Sequence, residues 1–360
     1  MERTDSYFGM LEITSTPVFC VKNGLVSQVN EAARKRMVEV GTPVDTLIVS
    51  GKREYTEDFN GGCLYLTVSI RGLGYGATVF REDDTDIFVL DMKESQEALQ
   101  ALALAAQQLR EPLHSIMTNS DSLFRALDAD DSAQEKIARI NRGLFQVLRM
   151  IGNMSDAASF QNAINSGKRL QNAQSVFSEL FQKAGAMLEQ MQITLQFTNL
   201  SAPVFCLLDV EKLERAVYNI LSNSAKYVSS GGHIDARVSV SGSRMVLTIT
   251  DNGPGIPESL RSSVFTRYLR EPAIEDGRSG IGLGMLMVRS AAAAHSGAVL
   301  IDQPEKAGTR ITMTLLVEKS PSHMMRSPIM PIDYAGGHDH SLIELSENLP
   351  VSAFKISKNK

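Results

Sequence analysis

The chain is poor in cysteine and has no excess of positive charge. Its three cysteines, Cys20, Cys63 and Cys206, lie far apart, so neither a CxxC metal site nor a disulfide framework is indicated. They read as small buried apolar residues suited to a reducing cytoplasm. Against 36 Lys and Arg stand 41 Asp and Glu, a formal net charge of -5. No basic stripe appears, which excludes the usual electrostatic footprint of a nucleic-acid binder. No apolar run reaches the ~20 residues of a membrane span. No apolar h-region follows Met1-Glu2-Arg3. The expectation is a protein without a membrane span, acting inside the cell. At 360 residues the chain has room for two or three domains, each with its own core.

Residues 1–92 read as mixed α/β. Val18-Phe19-Cys20-Val21 and Leu25-Val26-Ser27-Gln28-Val29 are two short strands around an Asn23-Gly24 turn. Asn30 is placed to cap a helix over 31–38. Three more strands are expected near 64–70, 76–81 and 87–90. This order, carried by TPVFCVKNGLVSQVNEAARKRM, resembles a PAS domain in pattern but shows no ligand signature.

Residues 93–162 carry two heptad seams. Leu99, Leu102, Ala106, Leu109, Leu113, Ile116, Ser120, Leu123 and Leu127 alternate at spacings of three and four, as do Ile137, Ile140, Leu144, Val147, Ile151, Met154 and Ala158. Asp128-Ala129-Asp130-Asp131-Ser132 separates them. Two helices joined by so short a loop run antiparallel. One hairpin cannot enclose its own apolar stripe, so a homodimer forming a four-helix bundle is expected. The alternative is a monomeric hairpin packed on another domain.

Residues 170–318 read as an α/β domain. Helices are expected around 176–188 and 209–227, and alternating strands around 234–240, 245–249, 299–302 and 310–317. Three segments of this domain suggest chemistry. In Asn219-Ile-Leu-Ser-Asn223-Ser-Ala-Lys226-Tyr227, the two asparagines share a helix face, and amide oxygens are hard ligands that suit Mg²⁺. Lys226 offers a positive charge to phosphate. In Asp251-Asn252-Gly253-Pro254-Gly255-Ile256-Pro257, a carboxylate at a strand end can accept the amino group of adenine, and glycines admit close approach. In Gly280-Ile281-Gly282-Leu283-Gly284, glycines and a helix N-terminus can meet phosphates. Any one alone is weak, since paired asparagines are often merely solvated and a GxGxG is often a turn.

All three in this order resemble the N, G1 and G2 boxes of the ATP-binding domain shared by histidine kinases, DNA gyrase B, Hsp90 and MutL. Val264-Phe265 is similar to the F box. The resemblance implies a multidomain α+β sensor histidine kinase: PAS-like domain, helical hairpin, and α/β sandwich ATP-binding domain. It implies that Asn223 holds Mg²⁺, Lys226 contacts phosphate, Tyr227 lies by the adenine and Asp251 reads its amino group. By the same resemblance, Asn219, Gly253, Gly255, Ile256, Gly280, Gly282, Leu283, Gly284 and Thr309 would complete the ATP site, and residues 265–279 would form a lid with Arg267 and Arg270 toward phosphate. Where the superfamily's ATPases carry a Glu general base, this chain has Asn219, which cannot take a proton near neutral pH.

The hairpin departs from the family. Its His-Glu-Leu-Arg-Thr-Pro-Leu motif reads here Gln107-Gln108-Leu109-Arg110-Glu111-Pro112-Leu113. Gln107 stands at the phosphoacceptor position and Gln108 replaces the neighbouring acid. An amide nitrogen is no nucleophile. His114 points the same way but lies about 10.5 Å further along the helix, at ~1.5 Å rise per residue. The implied partners are ATP, a second copy of the chain, and a response regulator, phosphotransfer protein or partner histidine kinase. Residues 319–360 form a tail with a short helix expected at 341–349 and no assigned chemistry. His338 and His340 there read as a solvated loop.

Overall fold

The computed structural model describes residues 16–91, 96–127, 131–159, 167–257, 284–304, 307–318 and 338–355. The first hairpin pairs β1 (Val18–Lys22) with β2 (Leu25–Val29). Asn23 and Gly24 both take positive φ (53° and 73°), the two-residue turn whose twist matches the strands. Asn30 then caps α1 (Glu31–Lys35): its Oδ1 accepts from the Ala33 and Val18 amides at 2.8 and 3.0 Å. The helix is shorter than 31–38, because Met37 turns into left-handed backbone (φ 67°). After α2 (Val44–Leu47) and β3 (Ile48–Ser50) comes a π-helical turn, Glu54–Asp58. An antiparallel run follows: β4 (Cys63–Ile70), β5 (Leu73–Glu82) and β6 (Thr85–Leu90).

The hairpin helices are α3 (Gln96–Ala126) and α4 (Asp131–Ser159). A buried Ser120–Asn141 hydrogen bond of 2.6 Å fixes their register. The heptad seam of α3 divides into two stripes. Ala106, Leu113 and Ser120 turn inward with Met117 and Phe124, whereas Leu109 (51 % exposed), Ile116 (52 %) and Leu123 (56 %) remain outside, as do Ile140 and Val147 on α4.

The last large unit contains β7 (Arg169–Asn172), α5 (Ala173–Glu189), β8 (Thr194–Thr198), β9 (Phe205–Leu208), α6 (Val210–Tyr227), β10 (His233–Ser241), β11 (Arg244–Asp251), α7 (Gly284–Ala294), β12 (Val299–Asp302) and β13 (Thr309–Leu316). Alternation builds the β10–β11 pair: Ala236 faces Ile249 and Val238 faces Leu247 in register, and with Ile234 and Met245 they form one buried side. Strands of residues 1–92 and 170–318 pair with each other: β4 runs antiparallel to β12 (Val299↔Tyr65, Leu300↔Leu64, Ile301↔Cys63). The result is one eleven-stranded sheet of order β2-β1-β6-β5-β4-β12-β13-β11-β10-β8, with β3 on β4. Gly62 (φ +82°) lets this joint close, because a Cβ there would run into the Ile301 carbonyl. Leu64, Leu66 and Val68 of β4 pack into the N-terminal core together with Ala298 and Leu300, while Cys63 and Tyr65 join the core of the other unit.

The tail folds back. α8 (His340–Glu344) and a 3-10 turn, Val351–Phe354, lie against α4, α5 and α6. Ile343, Leu345, Leu349 and Phe354 are buried in the main core. Each contributes about 1.5–3 kcal/mol of gross apolar burial. Among the described residues no helix is long and apolar enough to cross a membrane.

Candidate functional site

The site is built on α6, whose first turn is held from two sides. Asp209 caps it, accepting from the Lys212 amide at 3.2 Å, and the Asp209 amide donates to His295 Nε2 at 3.0 Å. His295 closes α7, and its Nδ1 lies 2.7 Å from the Ala291 carbonyl. One ring nitrogen must accept and the other donate, so the ring is neutral. Burial accordingly holds the His295 pKa below its ordinary value. Through this contact the helices of the first and third sequence segments are braced together.

Asn219 is 1 % exposed. Its Nδ2 donates to the Arg215 carbonyl at 2.8 Å, and its Oδ1 accepts from Arg149 Nη2 at 3.1 Å. One turn on, the Asn223 amide lies 3.7 Å from the Met285 sulfur. The start of α7 sits on the same face: a Cβ at Gly284 would come 2.8 Å from Asn219 Oδ1. Asn219, Asn223 and Gly284 are therefore brought together.

Asp251 ends β11 and is 8 % exposed. Its Oδ2 accepts from Ser224 Oγ at 2.9 Å, and its Oδ1 from the amides of Gly253 (3.0 Å) and Thr309 (3.2 Å). A buried carboxylate ringed by three donors has acceptor capacity left for one more. Gly308 takes φ +140°, and a Cβ there would strike the Asp251 carbonyl. A Cβ at Gly255 (φ +81°) would come 3.0 Å from the Gly308 carbonyl, so the loop after β11 lies against the start of β13. Ile256 packs at the core edge. Lys226 and Tyr227 end α6, with the Lys226 ammonium 5.2 Å from the Tyr227 ring centroid; that ring is exposed rather than enclosed. Gly280, Gly282, Leu283, Val264-Phe265, Arg267 and Arg270 lie outside the described residues.

On the hairpin, Gln107, Gln108 and Glu111 are exposed on α3. His114 is half-buried, and its Nε2 is shielded from solvent without a hydrogen bond. Sequence reasoning missed the residues that tie α4 to the site. Arg149 and Arg215 are both buried, and Glu344 of the tail lies 3.3 and 3.5 Å from them. Arg215 also donates to Asn153 at 2.8 Å. The one available signal was an arginine at position 149 among inward-facing Phe145, Leu148 and Ile151. Ser224, beside Asn223, carried none.

Residues 208–319 match the family model described as Histidine kinase-, DNA gyrase B-, and HSP90-like ATPase. The adaptive-response sensory kinase SasA of Crocosphaera subtropica is 29 % identical over 266 residues, covering 68 % of this chain and 67 % of that protein. The sensor protein KdpD of Escherichia coli is 26 % identical over 222 residues, covering 61 % and 24 %. A histidine kinase of Formosa agariphila is 24 % identical over 266 residues, 71 % of this chain. The chain spans only 19 % of that kinase's length and 15 % of a hybrid histidine kinase of Dictyostelium discoideum. Among solved structures, full-length ShkA in complex with AMPPNP aligns at 17 % identity and a TM-score of 0.49, over 62 % of this chain and 47 % of ShkA.

Proposed function

Because the chain belongs to the sensor histidine kinase family, with a histidine-kinase-type ATP-binding domain, we propose that it is a dimeric signalling protein that binds Mg-ATP without phosphorylating itself. The observation carrying this reading is the intact Asp251 site beside a hairpin with Gln107 at the acceptor position. The donors around Asp251 fix its carboxylate in one orientation, suited to the amino group of adenine. Asn223 supplies an amide oxygen for Mg²⁺ at the polyphosphate end, beside Asn219. Glycines 253, 255 and 284 keep side chains out of the nucleotide's path. The bound nucleotide supplies the phosphoryl group; the chain's residues orient it. Asn219 is no base, so water is not activated there.

Gln107 has no basic lone pair with which to attack, and Gln108 cannot act as the acid that relieves a charging imidazole. On this reading the phosphoryl group passes to a histidine on a partner kinase or a phosphotransfer protein, upstream of a response regulator; the alternative is that ATP binding only switches a bundle that holds another protein. The exposed Leu109, Ile116 and Leu123 stripe supports a dimer through the hairpin, since monomers seldom leave so regular an apolar row uncovered.

Labelling with γ-labelled ATP tests this. Wild type alone is expected to remain unlabelled, whereas Gln107→His with Gln108→Glu yields acid-labile phosphate on the hairpin. Strong wild-type labelling abolished by His114→Ala would make His114 the acceptor and overturn the reading.

A further inference from the structure

Residues 338–355 occupy the cleft between α4 and α6 and hold both walls. Phe354 and His338 pack on the Phe145 ring of α4 at 5.6 and 5.1 Å. Arg142 of α4 donates to the Ser346 and Glu347 carbonyls at 3.4 and 2.9 Å. On the other wall, Asn348 donates to the carbonyl and hydroxyl of Ser222 at 2.9 and 3.0 Å, and His340 Nδ1 lies 3.0 Å from Glu214. At the centre Glu344, with no exposed surface, bridges Arg149 and Arg215, and Glu347 lies 3.3 Å from the same Arg149.

Arg149 is where this segment meets the site, because its other amino group donates to Asn219 Oδ1. We infer that residues 338–355 compete with Mg-ATP: Glu344 and Glu347 hold the guanidinium pair that the triphosphate would otherwise draw to itself. This rests on the proposed placement of the polyphosphate at Asn219. Two buried guanidiniums cannot be left without a counter-anion, since an uncompensated buried charge is strongly unfavourable. They can exchange one anion for another. Arginine matches carboxylate and phosphate alike, and the triphosphate is the larger charge. With the segment docked, two carboxylates hold Arg149, whose remaining amino group engages Asn219 Oδ1. When the segment leaves, both carboxylates go and the arginines become available to phosphate oxygens.

Competition is reciprocal: if the segment weakens nucleotide binding, nucleotide must loosen the segment by the same factor. Hydrogen exchange on the unmodified full-length protein tests this, with Mg-ATP binding followed by calorimetry in the same buffer. Residues 340–354 are expected to exchange at least tenfold faster with saturating Mg-ATP. Full-length Glu344→Gln with Glu347→Gln is expected to bind Mg-ATP at least threefold more tightly. Unchanged or slower exchange of 340–354, with nucleotide demonstrably bound, would overturn the inference whatever the variant does. Calorimetry detecting no nucleotide on either protein would instead sink the ATP reading on which it rests.

Discussion

Replacing Asp251 by asparagine separates the adenine-binding role proposed for this side chain from its structural one. In the protein, Oδ1 receives two backbone amides that cannot reverse, from Gly253 and Thr309. The single amide oxygen of an asparagine must stay there, so its NH₂ is forced to the Oδ2 side. Ser224 tolerates the change, because its hydroxyl can turn and accept. Structurally, three charge-assisted hydrogen bonds become neutral ones, a loss of about 1–3 kcal/mol in all. Adenine cannot adapt: its amino group would meet another donor. An unsatisfied buried donor costs about 1–3 kcal/mol, a loss of roughly 5- to 150-fold in affinity. Calorimetric titration with Mg-ATP, beside thermal melting, measures both quantities. A folded variant with wild-type affinity would remove Asp251 from the base-recognition site. A variant that no longer folds would show that the carboxylate's main task is tying β11 to α6 and β13.

Two further expectations follow from other contacts. Leu109→Asp with Ile116→Asp is expected to convert a dimer to a folded monomer by light scattering, as both positions are exposed on α3; a persisting dimer would move the interface elsewhere. Leu113 is unsuitable, since it faces α4 and a charge there would break the hairpin. His295 ties stability to pH: its folded pKa is depressed by burial, so below the unfolded value of ~6.5 the unfolded chain binds the extra proton first. Stability therefore falls as pH drops through that value, by up to about 1.4 kcal/mol per unit until the folded ring also protonates. Denaturant midpoints at pH 7.5 and 5.5 should differ more for wild type than for His295→Gln, and equal differences would refute the assignment.

What was legible in the sequence depended on local signals. The β10–β11 hairpin follows from strict alternation, the start of α6 from Asp209, and the hairpin helices from heptads. Among the strands missed, β3, β7 and β9 are only three or four residues long and too short to show alternation, while Thr194–Thr198 alternates but lies at the sheet edge with no fully buried residue. The β4–β12 joint is made by main-chain groups, which leave no side-chain signature. The heptad pattern identified apolar positions but could not say which stripe packs on α4 and which stays outside. In the site, Asn219, Asn223, Asp251 and Gly284 were legible as motif positions. Arg149 and Glu344 were not, because they meet across 195 residues of chain.

The joined sheet also predicts that the N-terminal unit influences the site through α7. That helix is held at three points. Gly284 rests against Asn219, His295 accepts from the Asp209 amide, and Arg289 reaches Asp91 at 2.9 Å while lying 4.6 Å from the Tyr65 ring centroid. Tyr65 donates to the same Asp91 at 3.0 Å. Asp91 directly follows β6 and lies ahead of α3, so one carboxylate links the N-terminal sheet, the approach to the hairpin and the site's third helix. Asp91→Asn removes the charge opposite the buried Arg289 guanidinium without altering the site itself. If α7 transmits the change, Mg-ATP affinity should shift by about 2- to 30-fold, the range of a 0.5–2 kcal/mol coupling. Tyr55→Phe provides the control: it deletes the Tyr55–Asp86 hydrogen bond inside the N-terminal core, away from α7. Equal affinity shifts in both variants would mean that general loosening, not the Asp91–Arg289 contact, reaches the nucleotide.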